Sequence, residues 1–150
     1  MPPLVTPLLD ADTLDVEGLE RLVEHVVEGG VHGLFILGTT GEGPSLATAV
    51  QQELIGRVVR LVDGRVPVLV GISDASPAES VALARCAAER GADAVVAAPP
   101  FYFPAAQEPL VRWGQDLAAR APLPLLFRCS CMPQLLFLLL SLQILPLLLL

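Results

Sequence analysis

The sequence predicts an α/β fold made of parallel strand–helix units. Short runs rich in β-branched residues recur about every thirty residues, and each is followed by a stretch with apolar residues at helical spacing. Right-handed crossovers between such units give either a barrel or an open doubly wound sheet. No GxGxxG or phosphate-loop glycine pattern is present, which counts against the nucleotide-binding form of the open sheet.

Taken in order, Leu4-Val5-Thr6-Pro7-Leu8 reads as a short extended segment, because its proline keeps it out of a helix. Asp10 to Thr13 then turn. Residues 15–28 carry Leu19, Leu22, Val23, Val26 and Val27 on one side of a helix, and Gly29-Gly30 stop it. Val31-His32-Gly33-Leu34-Phe35-Ile36-Leu37 is a buried-looking strand. A helix over 48–62 follows, with Val50, Leu54, Val58 and Val59 on one face and Asp63-Gly64 at its end. The strand at 66–71 leaves through Ile72-Ser73-Asp74-Ala75. Ser76-Pro77-Ala78-Glu79 then predicts a capping box opening a helix to Arg90, with Val81, Ala84 and Ala88 inward and Gly91 as the stop. The strand at 93–98 runs into Pro99-Pro100-Phe101-Tyr102-Phe103-Pro104. A helix over 107–120 and a strand over 122–127 complete the series.

Composition bounds what this fold can do. A chain of 150 residues is expected to form one domain, and 53% hydrophobic residues exceeds what one needs; the excess lies at the C-terminus. The net charge of −7 and the lack of any basic run argue against a nucleic-acid partner. Cys86, Cys129 and Cys131 have neither CxxC spacing nor a histidine cluster, so neither zinc nor a disulfide framework is implied and a reducing cytoplasm fits. No N-terminal signal pattern is visible. All 9 basic residues are arginine, so no lysine is available to form a Schiff base.

The chemistry-bearing stretch is Gly38-Thr39-Thr40-Gly41-Glu42. It lies where a core strand stops, the place where α/β proteins put their sites. The glycines permit tight turns and close approach, while Thr39 and Thr40 offer hydroxyls and backbone N–H groups to a small anion. The competing reading is a strand-to-helix loop with no ligand. Tyr102, at the end of another strand, would lie on the same side of the sheet and within reach of a hydroxyl relay, or would serve only as an aromatic plug. His25 and His32 fall away from that end and read as structural or solvated, and Cys86 as a small buried residue.

Pro3-Leu4-Val5-Thr6-Pro7, the run from Gly29 to Glu42, Val66 to Gly71, and Gly91 to Val96 leading into Pro99-Pro100-Phe101-Tyr102 together resemble the dihydrodipicolinate synthase and N-acetylneuraminate lyase family. The resemblance covers residues 3 to about 127. It implies a parallel (β/α)8 barrel, of which residues 1–127 would be the N-terminal half, in an enzyme that is usually a homo-oligomer. It also implies a Schiff base between the enzyme and pyruvate or another 2-oxo acid, with a carbon–carbon bond made or broken and no further cofactor. Thr39 and Thr40 would hold the 2-oxo acid carboxylate, Thr39 would join the proton relay, and Tyr102 would be the relay tyrosine reaching a neighbouring subunit.

The sequence departs from the family after the last strand. A tyrosine-asparagine-x-proline segment is expected there, and the chain reads Phe127-Arg128-Cys129-Ser130-Cys131-Met132-Pro133. Neither that tyrosine nor the Schiff-base lysine is present, and residues 135–150 are dominated by leucine. Two explanations compete for the tail, 128–150: a frameshifted or mis-called gene end, or a C-terminal membrane anchor. A helix over 135–150 would span only about 24 Å and holds Gln143 and Pro146, short of the ~20 apolar residues a membrane helix needs. The expected product is thus an inactive fragment of a lyase, with a small-carboxylate-binding module or a tail-anchored protein as alternatives. Its open sheet edge would favour aggregation or pairing with a second copy.

Overall fold

The computed structural model describes residues 1–99 and 106–128. Tyr102 and the tail beyond Arg128 lie outside them. Four helices, α1 (Val16–Glu28), α2 (Thr48–Val62), α3 (Pro77–Glu89) and α4 (Gln107–Arg120), alternate with four strands. The strands are β1 (Leu34–Ile36), β2 (Val68–Gly71), β3 (Ala94–Ala97) and β4 (Leu125–Phe127). All pairings are parallel and the spatial order is β1-β2-β3-β4. An open doubly wound sheet reverses direction at a switch point; this one steps the same way each time. That order is the one a barrel wall has.

The N-terminal segment extends the series. Pro3 bridges Phe35 in parallel, the Leu4 N–H donates to the Phe35 carbonyl at 2.8 Å, and the Phe35 N–H donates to the Pro2 carbonyl at 3.1 Å. The first predicted strand is therefore reduced to a bridge, as befits a segment whose prolines remove ladder donors. The other strands are shorter than their apolar runs suggest, because a ladder lasts only as long as both partners stay in register: Leu34 pairs with Val68 and Ile36 with Val70, and β1 stops there.

Alternation sorts the strand residues into two faces. Leu34, Ile36, Val68, Val70, Val95 and Ala97 are buried against the helices, forming one core with Leu19 and Val23 of α1, Leu54, Ile55 and Val58 of α2, Val81, Ala84 and Ala87 of α3, and Leu117 of α4. On α3 Val81 and Ala84 are buried as expected, but Ala87 is fully buried and Ala88 only half-buried, so the inward face shifts by one residue in its last turn. Phe35, Leu69 and Val96 on the other face are only half-buried, and Leu126 is 47% exposed.

Local sequence accounts for the helix ends. The Asp15 carboxylate accepts the Gly18 N–H at 2.9 Å and starts α1. Ser76 Oγ accepts the Glu79 N–H at 3.4 Å, but the Ser76 N–H donates to Asp74 Oδ1 at 2.7 Å rather than to Glu79. The predicted capping box is therefore half made, with aspartate filling the other half. Asp63, with a φ of 47°, and Gly64, with a φ of 71°, end α2.

Candidate active site at the strand ends

All four strands deliver residues to a single cavity of about 430 Å³ at their C-terminal ends. It is lined by Leu37, Gly38 and Thr39 after β1, Gly71 and Ser73 at β2, Ala98 and Pro99 after β3, and Arg128 after β4. Phe35 and Val96 of the open sheet face, and Glu42, Pro44 and Ser45 of the loop before α2, complete it. Its volume falls in the range of small-molecule sites, roughly 300–1,000 Å³.

The turn that carries Thr39 is built by close backbone approach. Leu37 has a φ of 57°, the left-handed region, although its side chain is buried. That reversal aims the Leu37 carbonyl between Gly43 and Gly71, where a Cβ on either glycine would overlap it. A Cβ on Gly38 would sit 2.5 Å from Phe35 Cε1, and one on Gly41 would sit 2.7 Å from the Leu4 carbonyl oxygen. Glycine at these positions lets the loop press onto the strand ends. Glu42, with a φ of 54°, takes a second left-handed step.

Hydrogen bonds hold the turn from outside. The Gly38 carbonyl accepts from the N–H groups of Gly41 and Gly43, each at 3.1 Å, and the Thr39 carbonyl from that of Glu42 at 3.1 Å. Thr6 Oγ1 donates to the Gly41 carbonyl at 2.7 Å. Gln51 Nε2 donates to the Gly43 carbonyl at 2.8 Å and the Leu46 carbonyl at 3.2 Å, tying the loop to α2. Within the described residues, no backbone bond of this turn uses the N–H of Thr39 or Thr40. Across the cavity, Ser73 Oγ accepts the Ala98 N–H at 2.8 Å and locks the exits of β2 and β3 together.

The structure thus separates the two threonines. Both are exposed on the turn, but Thr39 lines the cavity and Thr40 does not. Ser45, Ser73 and Arg128 line it without having been singled out from the sequence. Position supplies the missed signal: Ser73 and Arg128 each follow a strand on its C-terminal side. His25 lies in α1, and both it and His32 precede β1, away from the cavity. Among the described residues, no group of three or more His, Cys, Asp or Glu side chains is placed to hold a metal ion. Cys86 is buried beside Arg90, and burial raises its thiol above the usual value.

Residues 1–128 match the sequence profile of the dihydrodipicolinate synthetase family. The chain belongs to that family. A "probable 2-dehydro-3-deoxy-D-pentonate aldolase" of Escherichia coli is 37% identical over 126 residues, which are 84% of this chain and 42% of the relative. The solved dihydrodipicolinate synthase of Bacteroides thetaiotaomicron is 57% identical, with a TM-score of 0.81 over 84% of this chain and 42% of that one. An E. coli prophage protein of the dihydrodipicolinic acid synthase family, solved in complex with pyruvate, is 31% identical with a TM-score of 0.80 over the same shares, 84% and 42%. The chain spans about two fifths of the length of the curated relatives it matches. Family membership and the stepwise strand order agree on a part of a (β/α)8 barrel wall.

Proposed function

We propose that this chain carries the carboxylate-binding side of a 2-oxo-acid lyase or aldolase site, and that it binds a small 2-oxo acid such as pyruvate without forming an imine with it. The supporting observation is the cavity at the four strand ends, with Thr39 on its wall and the N–H groups of Thr39 and Thr40 free of backbone partners among the described residues. A hydroxyl and two N–H groups on a turn braced by Thr6 and Gln51 form a preorganised cradle for a carboxylate. Pyruvate bound to a family member points to the same ligand class.

The family's chemistry requires a nucleophilic amine, and the sequence contains no lysine. Residues present here would orient a 2-oxo acid and, through Thr39, hand on a proton; the covalent step has no group to carry it. Tyr102, outside the described residues, keeps its proposed place in the relay. The same reading treats 1–127 as the functional unit and 128–150 as a tail of aberrant origin, in a cytoplasmic protein whose intact relatives would assemble as homo-oligomers. Synthase, sialic-acid lyase and sugar-acid aldolase activities all use this side of the site, so the second substrate stays open.

Saturation-transfer NMR with pyruvate, paired with borohydride trapping and mass spectrometry, tests the reading. The expected result is saturable binding at millimolar pyruvate and no reduced pyruvyl adduct on any side chain. Absence of binding, or a stable side-chain adduct, would refute it.

A further inference from the structure

We propose that Arg128 is the specificity-determining residue of this cavity, a guanidinium anchor that selects ligands bearing a free carboxylate; the inference rests on reading the cavity as a small-acid site. Arg128 is the first residue past the 1–127 unit, and whatever the origin of the tail that follows, the sheet itself places this residue there. Its N–H donates to the Ala97 carbonyl at 2.9 Å, carrying the β3–β4 ladder one step beyond Phe127. Since alternation sends Phe127 to the helix side, Arg128 falls on the side of Leu126, the open face on which the cavity sits.

Its place on the cavity wall singles this arginine out, since Arg60 and Arg85 likewise enter no ion pair among the described residues. Arg21, Arg57, Arg65, Arg112 and Arg120 pair with carboxylates on or beside the helices, and Arg90 donates to Cys86 Sγ at 2.6 Å. Arg128 is the one cation on the cavity wall among the described residues, and none of their ion pairs engages it. A chain with a net charge of −7 repels anions in general, so a local cation is what lets one settle here. A guanidinium keeps its proton throughout the physiological range and presents parallel N–H groups that match a carboxylate. It therefore grips an anion and relays no proton. Glu42 is the one carboxylate on the same wall among the described residues and opposes an anionic ligand.

The experiment titrates pyruvate, and separately its uncharged methyl ester, into the wild-type chain and the variants Arg128→Gln, Arg128→Lys and Glu42→Gln. Arg128→Gln is expected to raise the pyruvate Kd about tenfold, the lower end for a charge-assisted contact in an open cavity. Arg128→Lys is expected to fall between, because it keeps the charge and loses the fork. Glu42→Gln is expected to lower the Kd by about twofold, and the ester to bind none of the four. Arg128 is exposed, so an unchanged thermal midpoint separates lost binding from lost folding. Equal pyruvate affinity for wild type and Arg128→Gln overturns this inference while leaving the small-acid reading in place, whereas equal binding of ester and acid overturns both. No pyruvate binding by the wild type overturns both.

Discussion

Leu37 leaves β1 in a conformation that costs a non-glycine residue about 1–2 kcal/mol. Its buried side chain and the seat of its carbonyl between Gly43 and Gly71 hold it there. This separates two kinds of glycine. Gly71 is needed for space: an added Cβ would overlap the Leu37 carbonyl, a rigid backbone atom. Gly64 is needed only for its φ of 71°, with nothing within 4 Å of an added Cβ. Gly71→Ala is therefore expected to lower the unfolding free energy by about 2–4 kcal/mol and Gly64→Ala by about 1 kcal/mol. Urea titration of both variants checks this, and equal losses would mean that the close approach is unimportant. Sequence pattern marks Gly38 and Gly41 as turn glycines, and Thr39 as a candidate ligand group. It could not mark Leu37, because nothing in a leucine's own preferences favours a left-handed turn; the loop and β2 impose it. Nor could it tell Thr39 from Thr40, since neighbouring hydroxyls on one turn differ only in direction.

Helices were more legible than strands. Periodicity places α2 and α4 within their observed limits, since a helix satisfies its own hydrogen bonds, whereas a strand's length is decided by a partner about thirty residues away in the sequence. What periodicity could not supply are contacts between helices. Arg65, just past α2, donates to both carboxylate oxygens of Glu24 on α1, at 2.8 and 2.6 Å across 41 residues. Arg65 hydrogen bonds hold the Glu24 carboxyl below its ordinary value of 4.5. A carboxyl with a lower pKa folded than unfolded adds stability above the unfolded value, and that addition fades as pH falls through the folded one. Acidification from neutral to below 4.5 is therefore expected to destabilise the wild type more than Glu24→Gln, with the gap small because both groups are exposed. Thermal melts across that range, at low and high salt, check it; parallel curves for the two proteins would show that the pair contributes nothing.

For the whole molecule, periodicity alone left barrel and open sheet undecided, because both consist of the same units. Strand order decides between them, and order is a property of the assembled sheet; only the family resemblance carried it at the level of sequence. The assembled sheet also has a consequence. Parallel sheets are ordinarily covered on both faces. Here one face is packed by α1–α4, while Phe35, Leu69, Val96 and Leu126 of the other are partly open, and β4 pairs only with β3 among the described residues. An apolar face meeting an unpaired parallel edge offers both hydrophobic contact and backbone hydrogen bonds to a second chain. The expressed 150-residue chain is thus expected to self-associate, giving a light-scattering mass above that of a 15.9 kDa monomer. Leu126→Lys puts a charge at the junction of that face and edge, where pairing with a second chain would strip it of water, and is expected to shift the distribution toward single chains. Its side chain is already 47% exposed, so the substitution should leave the folded chain intact by circular dichroism. A monodisperse wild-type monomer would show that the open face draws no second copy. Self-association unchanged in Leu126→Lys would move its seat away from β4.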